Sequence, residues 1–173
     1  MPIRSFLFVP ADSERKLARG LESGADALIL DLEDSVAAAS RPAARKLARE
    51  FLDAHGNSRV VRYVRVNPLA SGLVLDDLAA TIAGRPDGIL LPKCVPDDVR
   101  TLDHYLSAFE AAAGHEIGAT RIIAIATETA EAVFALGNYA HYATFMAARA
   151  YLSAGPNQGD QRNRATTVID GML

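Results

Sequence analysis

Glu33 with Asp34, Arg65 with Asn67, Lys93, and Glu128 each stand at or just beyond the end of a short apolar run, and Asp12 follows the first such run. These residue types suit one kind of chemistry. Carboxylates hold a hard divalent cation such as Mg²⁺ through oxygen, usually with waters completing the shell. A guanidinium makes paired hydrogen bonds to a carboxylate, which a point-charge ammonium cannot do. Brought together, the set would handle an anionic substrate through a metal.

The sequence also contains elements able to bring them together. The apolar runs cover residues 5–10, 27–32, 60–66, 88–92 and 122–127 and are rich in Ile, Leu and Val with little polar alternation. That is the pattern of parallel strands covered on both faces. Helical patterns separate them. Asp12 or Ser13 can cap a first helix with Leu17 and Leu21 four apart, and Gly24 stands where a stop is expected. Ser40 precedes Pro42, then Ala44, Leu47, Ala48 and Phe51 form one face that ends at Gly56. Val74, Leu78 and Ile82 make a shorter helix, closed by Gly84 and Pro86. Val99, Leu102, Leu106, Phe109 and Ala113 make a longer one, followed by Gly114. Strand–helix alternation with short links reads as a parallel α/β fold. In a β/α barrel every strand exit lies on one face, and that face holds the active site.

Composition narrows the classes. With 173 residues, 50% hydrophobic and 23% charged, the chain is an ordinary globular domain with a sizeable core. A net charge of −3 gives no argument for a nucleic-acid or membrane-surface partner, and none is expected. Cys94 is the sole cysteine, so no internal disulfide forms and a reducing, cytoplasmic setting is expected. The N-terminus passes directly into a strand-like run, unlike a signal peptide. No stretch approaches the roughly 18 uninterrupted apolar residues of a membrane span. His55, His104, His115 and His141 show no metal-ligand spacing and read as surface residues.

The motifs carry a resemblance. Arg4-Ser5-Phe6-Leu7-Phe8-Val9-Pro10, with Asp12-Ser13 and Arg15-Lys16, resembles the opening of the citrate lyase β-subunit family within the HpcH/HpaI aldolase superfamily. The segment Gly24-Ala25-Asp26-Ala27-Leu28-Ile29-Leu30-Asp31-Leu32-Glu33-Asp34-Ser35-Val36 does too. So do Val64-Arg65-Val66-Asn67-Pro68, Asp87-Gly88-Ile89-Leu90-Leu91-Pro92-Lys93 and Glu128-Thr129-Ala130, in the family's order and spacing. The resemblance implies a (β/α)8 TIM barrel and Mg²⁺-dependent carbon–carbon lyase chemistry. It also implies a CoA thioester of a citrate- or malate-like acid, or a related 2-oxo acid, as substrate, and a homo-oligomer. Residue by residue, it makes Glu128 the metal ligand and Arg65 the grip on a substrate carboxylate. Glu33 and Asp34 become a catalytic acidic pair near the metal. Asn67 and Lys93 are carried into substrate binding, and Arg15 and Lys16 toward the CoA phosphates. On this reading Glu128→Ala abolishes metal binding, and Arg65→Lys weakens oxo-acid binding with little loss of stability.

Each assignment has a structural counterpart. Glu33 and Asp34 could cap a helix entry, Arg65 could be an ion-pair partner of Glu33, and Glu128 could cap the following helix. Lys93, Arg15 and Lys16 could simply be solvated, and Cys94 a buried inert thiol.

The sequence also departs from the family. Five units take roughly 130 residues, whereas a closed barrel takes about 250. The family's second metal ligand, an aspartate at strand six, has no counterpart segment. We therefore expect a partial barrel domain over residues 1–140 and a divergent helical or irregular tail over 141–173. Residues 130–152 should be helical, and only 166–169 could form another strand. Ala11 stands where glycine is usual, and Cys94-Val95-Pro96 after the lysine is a further departure. A frameshift or early stop would account for the tail, and coding sequence for the missing motifs in another frame would support that. Two alternatives to an active lyase follow: a non-catalytic remnant or assembly partner of such an enzyme, and a doubly wound open sheet with an unrelated anion site. The latter lacks a Gly-rich phosphate loop.

Overall fold

The computed structural model describes residues 3–139. The expected tail over 141–173, including 166–169 and His141, lies outside the described residues, as does the end of the helix expected over 130–152. The order is β1 (Phe6–Pro10), α1 (Glu14–Leu21), β2 (Ala27–Asp31), α2 (Arg41–Ala54), β3 (Val61–Arg65), α3 (Val74–Thr81), β4 (Gly88–Leu91), α4 (Pro96–Ala112), β5 (Arg121–Ala124) and α5 (Ala130–Phe134). Short 3-10 turns lead into α2 and α3 and extend α3.

All five strands are parallel and lie in chain order, β1-β2-β3-β4-β5. A doubly wound sheet reverses its strand order partway, and among the described residues no such reversal occurs. Sequential parallel strands with a helix in each connection are instead the arrangement of the first units of a β/α barrel.

Helix boundaries follow local chemistry. The Ser13 side chain caps α1 by accepting from the Lys16 N–H, and Gly24 follows at φ +77°. Pro42 occupies the first turn of α2. Asp98 accepts from the Val95 N–H at 2.9 Å, closing the start of α4, and Gly114 beyond its end has φ +69°. Glu110, fully buried on α4, accepts the N–H groups of Gly118 and Thr120 at 2.8 Å and so fixes the approach to β5.

The larger core lies between the sheet and its helices, with Leu28, Leu30, Val64, Ile89 and Leu91 facing Leu52, Leu78, Leu102 and Leu106. The opposite face carries Ala27, Ile29, Tyr63 and Leu90. β2 is buried throughout. β1 departs from the expectation of strands covered on both faces: Phe6, Leu7 and Phe8 are 40%, 37% and 47% exposed. It is an edge strand that pairs only with β2 among the described residues.

Register decides which side chains share a level. Pro10 stands opposite Asp31, Asp31 opposite Arg65, Arg65 opposite Leu90, and Leu90 opposite Ile123. The charged residues of the final level thus face the side away from the helices, next to the loops that leave the strands.

Candidate active site

Asp31 and Arg65 end β2 and β3 as direct cross-strand neighbours. Arg65 Nε donates to Asp31 Oδ1 and Nη2 to Asp31 Oδ2, each at 2.7 Å, a fork-on-fork pair. The third guanidinium nitrogen, Nη1, lies 3.1 Å from Glu33 Oε2 and 3.8 Å from Asp34 Oδ2. The Phe8 ring lies 4.9 Å from the guanidinium carbon, within cation–π range.

Lys93 joins this group to the exit of β5. Its ammonium donates to Glu33 Oε1, and to Asp34 Oδ1 at 3.0 Å. Its backbone N–H donates to Glu128 Oε2 at 2.8 Å. Lys93 adopts φ +49°, a left-handed conformation that costs a non-glycine residue about 1–2 kcal/mol. Such strain persists only where surrounding contacts enforce it, and here those contacts are the three carboxylates.

The charges reinforce one another. Burial would push the Asp31 carboxyl up, but the Arg65 fork, the Ser35 hydroxyl and the Glu33 N–H together hold it below the usual range. Burial works against the Arg65 charge, and Asp31, with Glu33 and Asp34, more than offsets it. Lys93 is raised by its hydrogen bonds to Glu33 and then Asp34. Glu33 is 3% exposed, and its Oε2 is close enough to Arg65 to form an ion pair yet has no aligned hydrogen-bond donor. That is a buried acceptor with capacity to spare.

These observations bear on a metal. Asp31, Glu33, Asp34 and Glu128 carry four negative charges against the two positive charges of Arg65 and Lys93. The surplus of two equals what a divalent cation neutralises. Glu128 is exposed, with one oxygen engaged by the Lys93 N–H. Among the described residues no group of three or more His, Cys, Asp or Glu forms a ready cage. Exposed Glu128, with one oxygen uncommitted, and the Glu33 Oε2 that lacks a hydrogen-bond donor are oxygen donors of the kind Mg²⁺ takes, one or two carboxylates with water and substrate oxygens completing its shell.

The structure thus brings Glu33, Asp34, Arg65, Lys93 and Glu128 to one end of the sheet. It does not bring Asn67 to that surface. Asn67 is 1% exposed; its amide donates to Leu32 O at 3.1 Å and Asp77 Oδ2 at 2.8 Å, pinning the β2 exit to α3. Arg15 and Lys16 are exposed on the first turn of α1. Cys94 is 1% exposed, with burial pushing its thiol up to about 12. Sequence reading left Asp31, Ser35 and Phe8 without a role. The available signal was Asp31 itself, a charge at an alternating position at the end of an otherwise apolar strand.

A parallel β/α arrangement of barrel type, with a cluster of paired charges at the strand exits, defines the class. A sequence model of the HpcH/HpaI aldolase/citrate lyase family matches residues 4–150, and the chain belongs to that family. The citrate lyase β subunit of Haemophilus influenzae is 34% identical over 122 residues, which is 70% of this chain and 42% of that protein. A (3S)-malyl-CoA thioesterase of Cereibacter sphaeroides is 41% identical over 92 residues, 53% of this chain and 32% of that one. The crystal structure of CitE from Mycobacterium tuberculosis with magnesium and pyruvate superposes with a TM-score of 0.59 at 32% identity, covering 78% of this chain and 48% of that chain. The matched region spans less than half the length of each of these three proteins. Among the described residues no helix is long and apolar enough to cross a membrane.

Proposed function

We propose that this chain carries the strand-exit machinery of an Mg²⁺-dependent carbon–carbon lyase. Its substrate would be a CoA thioester of a citrate- or malate-like acid, or a related 2-oxo acid. The observation that carries the reading is the ion-paired convergence of Glu33, Asp34, Arg65 and Lys93 with Glu128 at one sheet end. Family membership and the magnesium and pyruvate of the M. tuberculosis relative support it.

In this reading Glu128 would hold the metal, with Glu33 and Asp34 as the acidic pair beside it. Bound Mg²⁺ would act as a Lewis acid beside the substrate oxygens. Arg65 binds a substrate carboxylate and places its charge where negative charge develops as the carbon–carbon bond breaks. Lys93 holds the acidic pair in place through its ammonium and Glu128 through its backbone. Asn67 acts at a distance, by fixing the loop that carries Glu33 and Asp34. Arg15 and Lys16 are the cations available to CoA phosphates. The reading extends to a cytoplasmic homo-oligomer.

The test is turnover of citryl-CoA and malyl-CoA with Mg²⁺, in wild type and Glu128→Ala. Cleavage lost in the variant supports the reading. A second reading, a non-catalytic remnant or assembly partner that binds without turnover, is favoured by the match to less than half the length of each relative. It predicts Mg²⁺ and oxo-acid binding with no cleavage of either thioester.

A further inference from the structure

Asp31 is saturated. Its two oxygens accept Arg65 Nε and Nη2 at 2.7 Å, the Glu33 N–H at 3.0 Å, the Ser35 N–H at 3.1 Å and the Ser35 hydroxyl. At 1% exposure it has no capacity left for a metal or a substrate. Stability alone is a poor reason for such a pair, since a buried ion pair often does no better than an apolar replacement.

Its geometric effect is specific. A guanidinium offers two edges that can grip a carboxylate, Nε with Nη2 and Nη1 with Nη2. Asp31 occupies the first edge. The Phe8 ring, 4.9 Å from the guanidinium carbon, restricts the plane from one side. The second edge then points along the strand toward the exit acids, where Nη1 meets Glu33 at 3.1 Å and only the looser Asp34 contact at 3.8 Å. An incoming carboxylate can replace the Asp34 contact without disturbing Asp31.

We infer that Asp31, assisted by Ser35, is a positioning residue that fixes the Arg65 plane and presents its Nη1–Nη2 edge to a substrate carboxylate. This rests on the proposed role of Arg65 as the carboxylate anchor.

Charge and position make opposite predictions for Asp31→Asn. Removing a negative charge near an anion site tightens anion binding if charge is all that matters. Freeing the guanidinium weakens it. The experiment is calorimetric titration of the full chain with oxaloacetate in Mg²⁺, using wild type, Asp31→Asn, Ser35→Ala, Arg65→Lys and the Asp31→Asn/Arg65→Lys double variant. The expected result is about tenfold weaker binding for Asp31→Asn, equivalent to about 1.4 kcal/mol. Ser35→Ala should shift binding less and in the same direction, and the double variant should bind no more weakly than Arg65→Lys. Asp31→Asn binding as tightly as wild type, or tighter, overturns the inference. If wild type fails to bind, or Arg65→Lys binds as wild type does, the anchor role of Arg65 fails first. NMR of the arginine Nε–H signals supplies a ligand-free readout. One protected, downfield Arg65 signal should be present in wild type and lose its protection in Asp31→Asn and, partly, in Ser35→Ala. No protected signal in wild type contradicts the inference even if Asp31→Asn fails to fold.

Discussion

Replacing Arg65 by lysine keeps the charge and removes the fork. The side chain is 12% exposed and makes two 2.7 Å hydrogen bonds to Asp31, which is itself 1% exposed. A lysine ammonium can satisfy one of those directions but not both in the same plane. A hydrogen bond to a charged group contributes about 1.5–3 kcal/mol, so losing one should cost about 2 kcal/mol. For a chain of this size that is a fall in Tm of roughly 4–8 °C. The expectation from sequence, that Arg65→Lys is nearly neutral for stability, is revised because the pair is buried and bidentate. Arg65→Met should cost more, about 3–5 kcal/mol, because it leaves Asp31 buried without its cation. The assay is urea unfolding followed by circular dichroism at pH 7, with unfolding midpoint and slope fitted for all three proteins. Its pH dependence gives a second check. The native Asp31 carboxyl lies below its ordinary value of 3.8, so its pairing adds stability above that value and loses it as pH falls through the native one. The gap between wild type and Arg65→Met should therefore narrow in acid. Arg65→Lys within about 0.5 kcal/mol of wild type, the usual range for surface changes, would refute the reasoning.

Three other outcomes are expected. Gly88→Ala should destabilise by about 1–3 kcal/mol or more, because its Cβ would lie 2.4 Å from the buried Tyr63 ring and 2.9 Å from the Arg121 carbonyl; unfolding identical to wild type would contradict this. The Arg4 side chain, then its backbone N–H, hold Asp26 at about 2 against an ordinary 3.8. An NMR titration should find that midpoint, Arg4→Ala should raise it, and the associated stability should be present above 3.8 and lost as pH falls toward 2; an ordinary midpoint in wild type would count against the contact. Burial that pushes the Cys94 thiol up to about 12 should make it nearly inert to a disulfide reagent at pH 8 in the native protein and reactive once unfolded, so equal rates would show that it is not enclosed.

What could be read from the sequence was local. Ser13 as a cap, Pro42 in a first turn and Gly24 and Gly114 as stops act through neighbouring backbone, so residue type and spacing suffice. Parallel strands also follow from runs of Ile, Leu and Val joined by helical patterns, and their exits carry the charged residues. What could not be read was which charges meet across strands. Asp31 appears only as the end of an apolar run, and its role depends on a register that puts it opposite Arg65. Asn67 stands beside Arg65 in sequence, yet it turns into the body of the fold because Asp77, ten residues on, accepts from both its backbone and side-chain N–H groups. The exposure of Phe6 and Phe8 depends on what lies beside β1, which the composition of a single strand does not record.

The central claim is that Glu128 and the charge cluster beside it form a metal-dependent site for an oxo acid. Calorimetric titration of the 173-residue chain with Mg²⁺, with and without oxaloacetate, in wild type and Glu128→Ala, tests it most directly. The account predicts Mg²⁺ binding that oxaloacetate strengthens and that Glu128→Ala abolishes while the variant stays folded. Equal Mg²⁺ binding by both proteins, or none by a folded wild type, would contradict it.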